Sequence, residues 1–81
     1  MRAFFTPHFR RSYQKLPKAI RRAFGKQLIA LLRDIRHPSL RTKKYDESRG
    51  LWQARVTGSW RFYFEIKAGT YILHEIQKHA D

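Results

Sequence analysis

Two segments in the C-terminal half of the chain alternate strictly between apolar and polar residues, as a strand with one buried face does. They meet at a turn at Gly58-Ser59, so the alternation predicts a β-hairpin made of strands at 51–57 and 60–67. The predicted apolar face carries Trp52, Ala54, Val56, Trp60, Phe62, Phe64 and Ile66. The predicted polar face carries Gln53, Arg55, Thr57, Arg61 and Tyr63. We interpret the polar face as the working surface of the protein.

The N-terminal half has the longer period of helices. Thr6 followed by Pro7 is typical of a helix start, and it predicts a short helix over residues 7–15. A second helix is predicted to begin at Pro17 and to end at His37-Pro38, because the residue before proline is displaced from helical geometry. Its apolar stripe consists of Ile20, Phe24, Leu28, Leu31, Leu32 and Ile35.

The remaining segments complete a small α+β domain. A short strand is predicted at residues 3–5, a basic loop or edge strand at 39–50, and a last strand at 70–78 after a turn at Ala68-Gly69. The predicted order is βααβββ, with a helical hairpin packed on a small antiparallel sheet. We expect residues 1–81 to form a single domain.

Charge and composition restrict the classes of partner. The formal net charge is +12, from 18 lysines and arginines against six acidic residues, so an anionic partner is expected, and charge alone does not choose among nucleic acid, an anionic membrane and an acidic protein. The chain contains no cysteine and no apolar segment of membrane-spanning length. We therefore expect a soluble, unprocessed protein of the reducing cytoplasm, with no membrane partner and no cofactor.

Arg55 and Arg61 are the strongest candidates for chemistry. Both fall on the polar face, and pairing across the hairpin would let both bind one phosphate group. The alternative is that each forms a surface ion pair, with Glu65 or Asp46. We favour the phosphate, because neighbouring like charges without an anion are unfavourable.

A basic run and several aromatic residues suggest how a nucleic acid would be held. Arg41, Lys43 and Lys44 precede Tyr45, a combination typical of surfaces that follow a sugar-phosphate backbone while bases stack on rings. Tyr63 or Tyr45 is the expected stacking residue, whereas Trp52 has the apolar parity and is expected in the core or at its edge.

Among the histidines, only His79 is a candidate for catalysis. Strand alternation places it with Glu75 and Gln77, near the arginines, where neighbouring cations favour the neutral imidazole that a general base requires. A frayed terminal histidine is the open alternative. His74 has the apolar parity and is expected to be partly buried. His8 and His37 are expected to be structural, and no metal-ligand spacing occurs.

The two carboxylates of the last strands have a simpler interpretation. Glu65 and Glu75 are expected to be charge partners of Lys67, Lys78 or the arginines rather than a catalytic acid pair. In a chain with so few acids, this is the commoner role.

Four short motifs accompany these predicted elements. They are His37-Pro38-Ser39-Leu40, Trp52-x-x-Arg55-Val56-Thr57, Trp60-Arg61-Phe62-Tyr63-Phe64 and Ile76-x-Lys78-His79. Together with the element order, the motifs resemble the RelE/ParE superfamily, the toxins of bacterial toxin–antitoxin pairs. The resemblance implies a RelE-like, microbial-RNase-like fold over nearly the whole chain and a cognate antitoxin as partner.

The ribosome-dependent members of that superfamily imply a specific activity. By resemblance, the chain would be an mRNA endoribonuclease that needs no metal, cuts mRNA on the ribosome, blocks translation and uses the substrate's own 2′-hydroxyl as attacking group. Arg55, Arg61 and His79 match its catalytic positions. The expected substrate-binding residues are Arg41, Lys43, Lys44, Gln53, Tyr63 and Lys78.

Two departures and two alternatives accompany this interpretation. Gln53 stands where a second basic residue is often found, and the C-terminal tyrosine used by several members is missing, which leaves His79 as the proton-transfer group. The gyrase-directed branch of the superfamily keeps the fold without the RNase residues, so a non-enzymatic inhibitor of a protein target stays open. A plain RNA-binding module is a third possibility, which cleavage products would exclude.

Overall fold

Two α-helices and five β-strands are found in residues 1–79, the part of the chain that this computed structural model describes. In chain order they are β1 (Arg2–Phe5), α1 (Pro7–Gln14), α2 (Lys18–Arg33), β2 (Lys43–Asp46), β3 (Leu51–Arg55), β4 (Trp60–Lys67) and β5 (Thr70–Lys78). Short 3-10 turns at Pro38–Leu40 and Glu47–Arg49 flank β2. No helix within residues 1–79 combines the length and the apolar character needed to cross a bilayer.

The helix starts follow the sequence, but the end of α2 does not. The Thr6 hydroxyl accepts a hydrogen bond from the Phe9 N–H (3.1 Å) and so caps α1. α2 ends at Arg33, so the prediction that it continues to His37-Pro38 is wrong. Asp34 takes an extended backbone, and its carboxylate accepts a hydrogen bond from the Arg36 N–H (2.9 Å). This local hydrogen bond stabilises a non-helical backbone at Asp34, so α2 ends before it reaches Pro38.

The five strands form one mixed sheet in the order β1-β5-β4-β3-β2. The predicted meander of β3, β4 and β5 is antiparallel, and β2 adds an antiparallel edge strand. β1 instead pairs in parallel with β5, with Ala3 opposite Tyr71, which corrects the prediction of an antiparallel sheet. Parallel pairing is possible here because no tight turn joins β1 to β5, since both helices and the three other strands lie between them in the sequence.

Both helices contribute to a core on the apolar face of the hairpin. The Phe24 ring of α2 meets the Phe62 ring edge-on at 5.2 Å between centroids, and Phe9 of α1 lies 5.3 Å from Phe24. Six side chains are almost fully buried there, each stabilising the fold by about 1.5–3 kcal/mol. They are Phe9, Phe62, Phe64, Leu31, Leu40 and Leu73. We call the opposite, polar face of the sheet the open face.

A β-bulge in β5 reverses the alternation of that strand. Phe64 lies opposite Leu73 while Tyr63 lies opposite Glu75, so His74 is the extra residue. Leu73 and Ile76 both face the core as a result. The prediction that His74 shares the apolar side with Ile76 is therefore wrong, whereas the prediction that it is partly buried is confirmed, since its side chain is 37% exposed.

Candidate functional site

Three arginines lie side by side at one end of the open face. Arg55 and Arg61 are direct cross-strand partners, and Gln77 of β5 lies opposite Arg61. Arg41, in the loop just before β2, lies near Arg55, because both residues line one cleft and the Arg41 charge is the largest cause of the lowered Arg55 pKa. We call Arg41, Arg55 and Arg61 the arginine row.

The like charges of the arginine row repel one another and so destabilise the folded protein. The positive charge of Arg41, burial, and the charge of Arg61, in that order, hold the pKa of the Arg55 guanidinium below its usual range. The Arg55 Nε is buried and has no hydrogen-bond partner within residues 1–79. Neighbouring like charges without a counter-charge are the situation that a bound anion relieves.

Asp46 and Glu65, the alternative ion-pair partners of the arginines, are bound to other residues. Asp46 lies 3.8 Å from the Arg49 guanidinium, and Glu65 accepts a hydrogen bond from His74 Nε2 (2.6 Å). Among residues 1–79, no carboxylate lies within ion-pair distance of the arginine row. The alternative that the arginines pair with Glu65 or Asp46 is therefore contradicted.

Arg61 also has a structural role that the sequence did not indicate. Its Nη1 group donates to carbonyl oxygens of the β3–β4 turn, at 2.6 Å for Thr57, 3.0 Å for Trp60 and 3.2 Å for Gly58. These bonds fix one side of the guanidinium against the turn. The side chain is thereby held at a defined place on the open face.

A cleft of about 550 Å³ adjoins the arginine row and is lined by Arg41, Arg55 and Lys26 of α2. Gln27 of α2 organises its wall by donating to the carbonyl oxygens of Arg55 (2.8 Å) and Ser39 (3.0 Å). This amide joins the loop that carries Arg41 to the end of β3. Gln27 is a positioning residue that no sequence motif revealed.

His79 lies at the same end of the sheet. Its N–H donates to the Ser59 carbonyl (2.6 Å), which extends the β4–β5 ladder one pair beyond Lys78. The backbone of His79 is therefore hydrogen-bonded to β4, which contradicts the alternative that this histidine is frayed. Alternation from Gln77 puts His79 on the open face, one diagonal step from Arg61, a Cα separation of about 7–8 Å.

The six predicted substrate-binding residues are divided between the two faces. Lys43 is exposed on the open face, and Arg41 belongs to the arginine row. Gln53 and Tyr63 face each other on the open face, but each is only 6% exposed, so they form its floor.

Lys44 and Lys78 lie on the opposite side of the sheet from the arginine row. Lys44 pairs with Trp52, and its Nζ lies 5.5 Å from the centre of that indole, while Lys78 pairs with Trp60. The expectation that these two lysines flank the arginines is corrected by the register.

A second cavity on the open face was missed by the sequence analysis. It has a volume of about 500 Å³, and we call it the tyrosine cavity. It is lined by His8, Tyr45, Arg49, Leu51, Tyr63, Glu65, His74, Glu75 and Gln77. Its two carboxylates pair with histidines, not with the lysines or arginines expected: His8 Nε2 donates to Glu75 and His74 Nε2 to Glu65.

The environment of Glu75 favours its ionised form. Burial alone would raise its pKa, but hydrogen bonds from His8 and Ser12, the Ile76 N–H and the charge of His8 outweigh burial, so the pKa lies below its ordinary value. His8 and Glu75 are 67 residues apart in the sequence, and no local pattern joins them. Within residues 1–79, no three histidine or acidic side chains converge as metal ligands.

Comparison with known proteins identifies the fold. No family model and no curated protein sequence matches the chain. Solved structures do: a YoeB/ParE toxin from Agrobacterium tumefaciens superposes with a TM-score of 0.81 at 14% identity, over 99% of this chain and 100% of that one.

Two further solved structures place the fold in the same group. The match in the toxin–antitoxin complex RelBE2 from Mycobacterium tuberculosis has a TM-score of 0.76 at 22% identity, over 96% of each chain. The isolated RelE toxin of E. coli gives 0.77 at 13% identity, over 99% of this chain and 85% of that one. The chain has the RelE/ParE toxin fold.

Proposed function

We propose that this protein is the toxin of a toxin–antitoxin pair and that it cuts mRNA on the ribosome without a metal ion. The observation that carries the proposal is the arginine row, three adjacent guanidinium groups with no carboxylate partner within residues 1–79. The fold adds support, since the solved structures that share it are toxins.

The arginine row would bind the phosphate at the cleaved bond. A guanidinium carries five N–H donors, and Arg61 is held at the turn by Nη1 alone, so the terminal nitrogens of Arg55 and the second terminal nitrogen of Arg61 would donate to a phosphate oxygen. Negative charge grows on those oxygens as the bond breaks, and fixed donors stabilise it without having to reorganise. Arg41 and Lys43 would hold the flanking backbone.

His79 would move the proton. The ribose 2′-oxygen attacks phosphorus, the bond from phosphorus to the 5′-oxygen breaks, and the products are a 2′,3′-cyclic phosphate and a 5′-hydroxyl. A proton must leave the 2′-oxygen and another must reach the 5′-oxygen, steps that an imidazole can catalyse. His79 is the described histidine nearest Arg61 along the sheet, one diagonal step away.

A cognate antitoxin is the expected protein partner. Several structures with this fold were solved as toxin–antitoxin complexes, among them RelBE2 from Mycobacterium tuberculosis and RelE–RelB from Pyrococcus horikoshii. With a net charge of +12, this chain would attract an acidic segment. Such a segment would block RNA by covering the arginine row.

The test is to add the purified protein to a translating extract and to map the 5′ ends of the mRNA, with ribosome-free RNA in parallel. We expect cuts only within translated codons, with 5′-hydroxyl ends. Arg55→Gln should lose the cuts, whereas Arg22→Gln, a change at an exposed arginine of α2, should keep them. Intact mRNA with the wild-type protein, or full cutting by Arg55→Gln, would overturn the proposal.

A second function is favoured by the bonds of Arg61 to its own turn. Three carbonyl oxygens of the turn already hold this guanidinium. A purely structural role for Arg61 fits a non-nuclease toxin directed at a protein such as DNA gyrase, which needs no arginine at a cleaved phosphate. Growth arrest that persists in the Arg55→Gln variant while mRNA stays intact would select this alternative.

A further inference from the structure

The tyrosine cavity concentrates negative charge in a strongly basic protein. The chain has six acidic residues, and two of them, Glu65 and Glu75, line this one cavity on the open face. Carboxylates repel phosphate and accept hydrogen bonds, and Arg49, the arginine of the lining, already lies 3.8 Å from the Asp46 carboxylate, so an uncharged hydrogen-bond donor fits this cavity better than a phosphate does. The open face therefore has a basic end, at the arginine row, and an acceptor-rich end, at the cavity.

An aromatic surface accompanies the carboxylates. The Tyr45 side chain is 56% exposed, and its ring lies 4.8 Å from the ring of Tyr63, centroid to centroid. Tyr63 is almost fully buried and supports Tyr45 from below. A supported, exposed ring at the mouth of a cavity is suited to stacking against a nucleobase.

The two ends of the open face are spaced like the two ends of a nucleotide. Arg61 and Tyr63 are two residues apart on β4, which is about 7 Å along the strand. Gln77 connects the two ends, since it lies opposite Arg61 and also lines the cavity. A phosphate on the arginine row would therefore carry its base to the tyrosine cavity.

The two carboxylates differ in their capacity to bind a ligand. Glu75 already accepts hydrogen bonds from His8, Ser12 and the Ile76 N–H. Glu65 accepts only from His74 among residues 1–79, through Oε1, which leaves Oε2 for a ligand. His74 orients Glu65, so this carboxylate faces the cavity as a fixed acceptor.

We infer that the tyrosine cavity binds a base of single-stranded RNA and that Glu65 selects bases with an amino group over uracil. The inference rests on the proposed function for the position of the phosphate. The amino group of cytosine donates to a carboxylate, whereas uracil presents a carbonyl oxygen at the same position, which the carboxylate repels. Adenine and guanine also carry amino groups.

The experiment compares cytosine with uracil, two bases of the same size. RNA tetranucleotides with either base at one inner position, 2′-O-methylated so that they cannot be cut, are titrated into the isotope-labelled protein. We expect the ring signals of Tyr45, Tyr63 and His74 to shift, and cytosine to bind at least about tenfold more tightly than uracil.

Two variants identify the residues responsible. Glu65→Gln should remove the preference for cytosine and keep uracil binding, because the amide can also donate to a carbonyl oxygen. Tyr45→Ala should weaken binding of both oligonucleotides about tenfold. Glu47→Gln, at an exposed acid outside the cavity, is the matched control and should bind as the wild type does.

The outcomes separate this inference from the proposed function. Shifts at the cavity with a cytosine preference, in a protein that leaves mRNA intact, would support the base site and reject the nuclease. Cuts whose base distribution is unchanged by Glu65→Gln, with no shift at Tyr45 or His74 in the titration, would overturn the base site and leave the nuclease standing. Equal binding of both oligonucleotides by the wild-type protein also overturns the selection by Glu65.

Discussion

Arg55 on β3 lies directly opposite Arg61 on β4, and no carboxylate of residues 1–79 neutralises either guanidinium. Arg41 adds a third charge beside Arg55 and is the largest cause of its lowered pKa. Like charges directly opposite each other destabilise a sheet. The arrangement that favours anion binding at the arginine row therefore destabilises the sheet at the same place.

Arg55→Met should stabilise the protein and weaken RNA binding. Removing the central charge of the arginine row relieves repulsion, and we expect the free energy of unfolding to rise. The slope of log affinity against log salt should fall by about 1, because one phosphate contact is lost. Urea unfolding and RNA binding at several salt concentrations measure both effects. Arg22→Met is the control, and a destabilised Arg55→Met would contradict the repulsion argument.

Arg61→Lys should separate the charge of this residue from its bonds to the turn. Lysine keeps the charge but does not present guanidinium donors to the carbonyls of Thr57, Gly58 and Trp60. We expect faster amide hydrogen exchange in residues 57–60 and a decrease in mRNA cleavage of about 10²–10³-fold. Arg22→Lys should change neither quantity. Unaltered exchange in Arg61→Lys would show that the turn does not depend on these bonds.

Gln27→Ala should loosen the loop that carries Arg41. The amide of Gln27 bonds to the carbonyls of Ser39 and Arg55, and its loss leaves a part-buried acceptor on β3 without its donor, a cost of about 1–3 kcal/mol. RNA affinity should fall as well, since Arg41 is no longer held beside Arg55. Gln14→Ala, at an exposed position of α1, is the control. If Gln27→Ala is destabilised but binds RNA as tightly as the wild type, Gln27 stabilises the fold without positioning Arg41 for RNA.

We expect the protein to lose stability in acid, because Glu75 loses its stabilising charge when it is protonated. Its pKa in the folded state lies below the ordinary 4.5, so its contribution is fully present above about pH 4.5 and is lost as the pH falls through the lowered pKa. Glu75→Gln should be less stable than the wild type at pH 7, and the difference should shrink below pH 4.5. Urea unfolding from pH 7 to pH 3 measures it, with Glu47→Gln as the control. A difference that does not change with pH would contradict this assignment.

The hairpin and its arginine pair were predictable because they depend on local order. A two-residue period and a turn at Gly58-Ser59 fix the register of β3 and β4, and Arg55 then meets Arg61. The helix cap at Thr6 was predictable for the same reason, since its bond to the Phe9 N–H spans three residues. The RelE/ParE toxin fold was implied by the resemblance of the four short motifs and the element order to that superfamily, and the solved structures confirm the fold.

Features that depend on distant contacts were not predictable. The bulge at His74 has no glycine or proline to mark it, yet it turns Glu75 away from the face of Leu73. The tyrosine cavity needs a histidine from α1 to reach β5, across 67 residues of sequence. Parallel pairing of β1 with β5 is likewise a property of the whole chain, because no turn links the two strands.

The pairing of β1 with β5 also sets the order of assembly during synthesis. β1 is made first, but Ala3 and Phe5 find their partners, Tyr71 and Leu73, only when the last strand has left the ribosome. β5 also brings Gln77 to the open face, together with His79, which follows the last residue of the strand. A nascent chain therefore carries its basic residues before the open face is assembled, and the arginine row is in place only after β5 has joined β1 and β4.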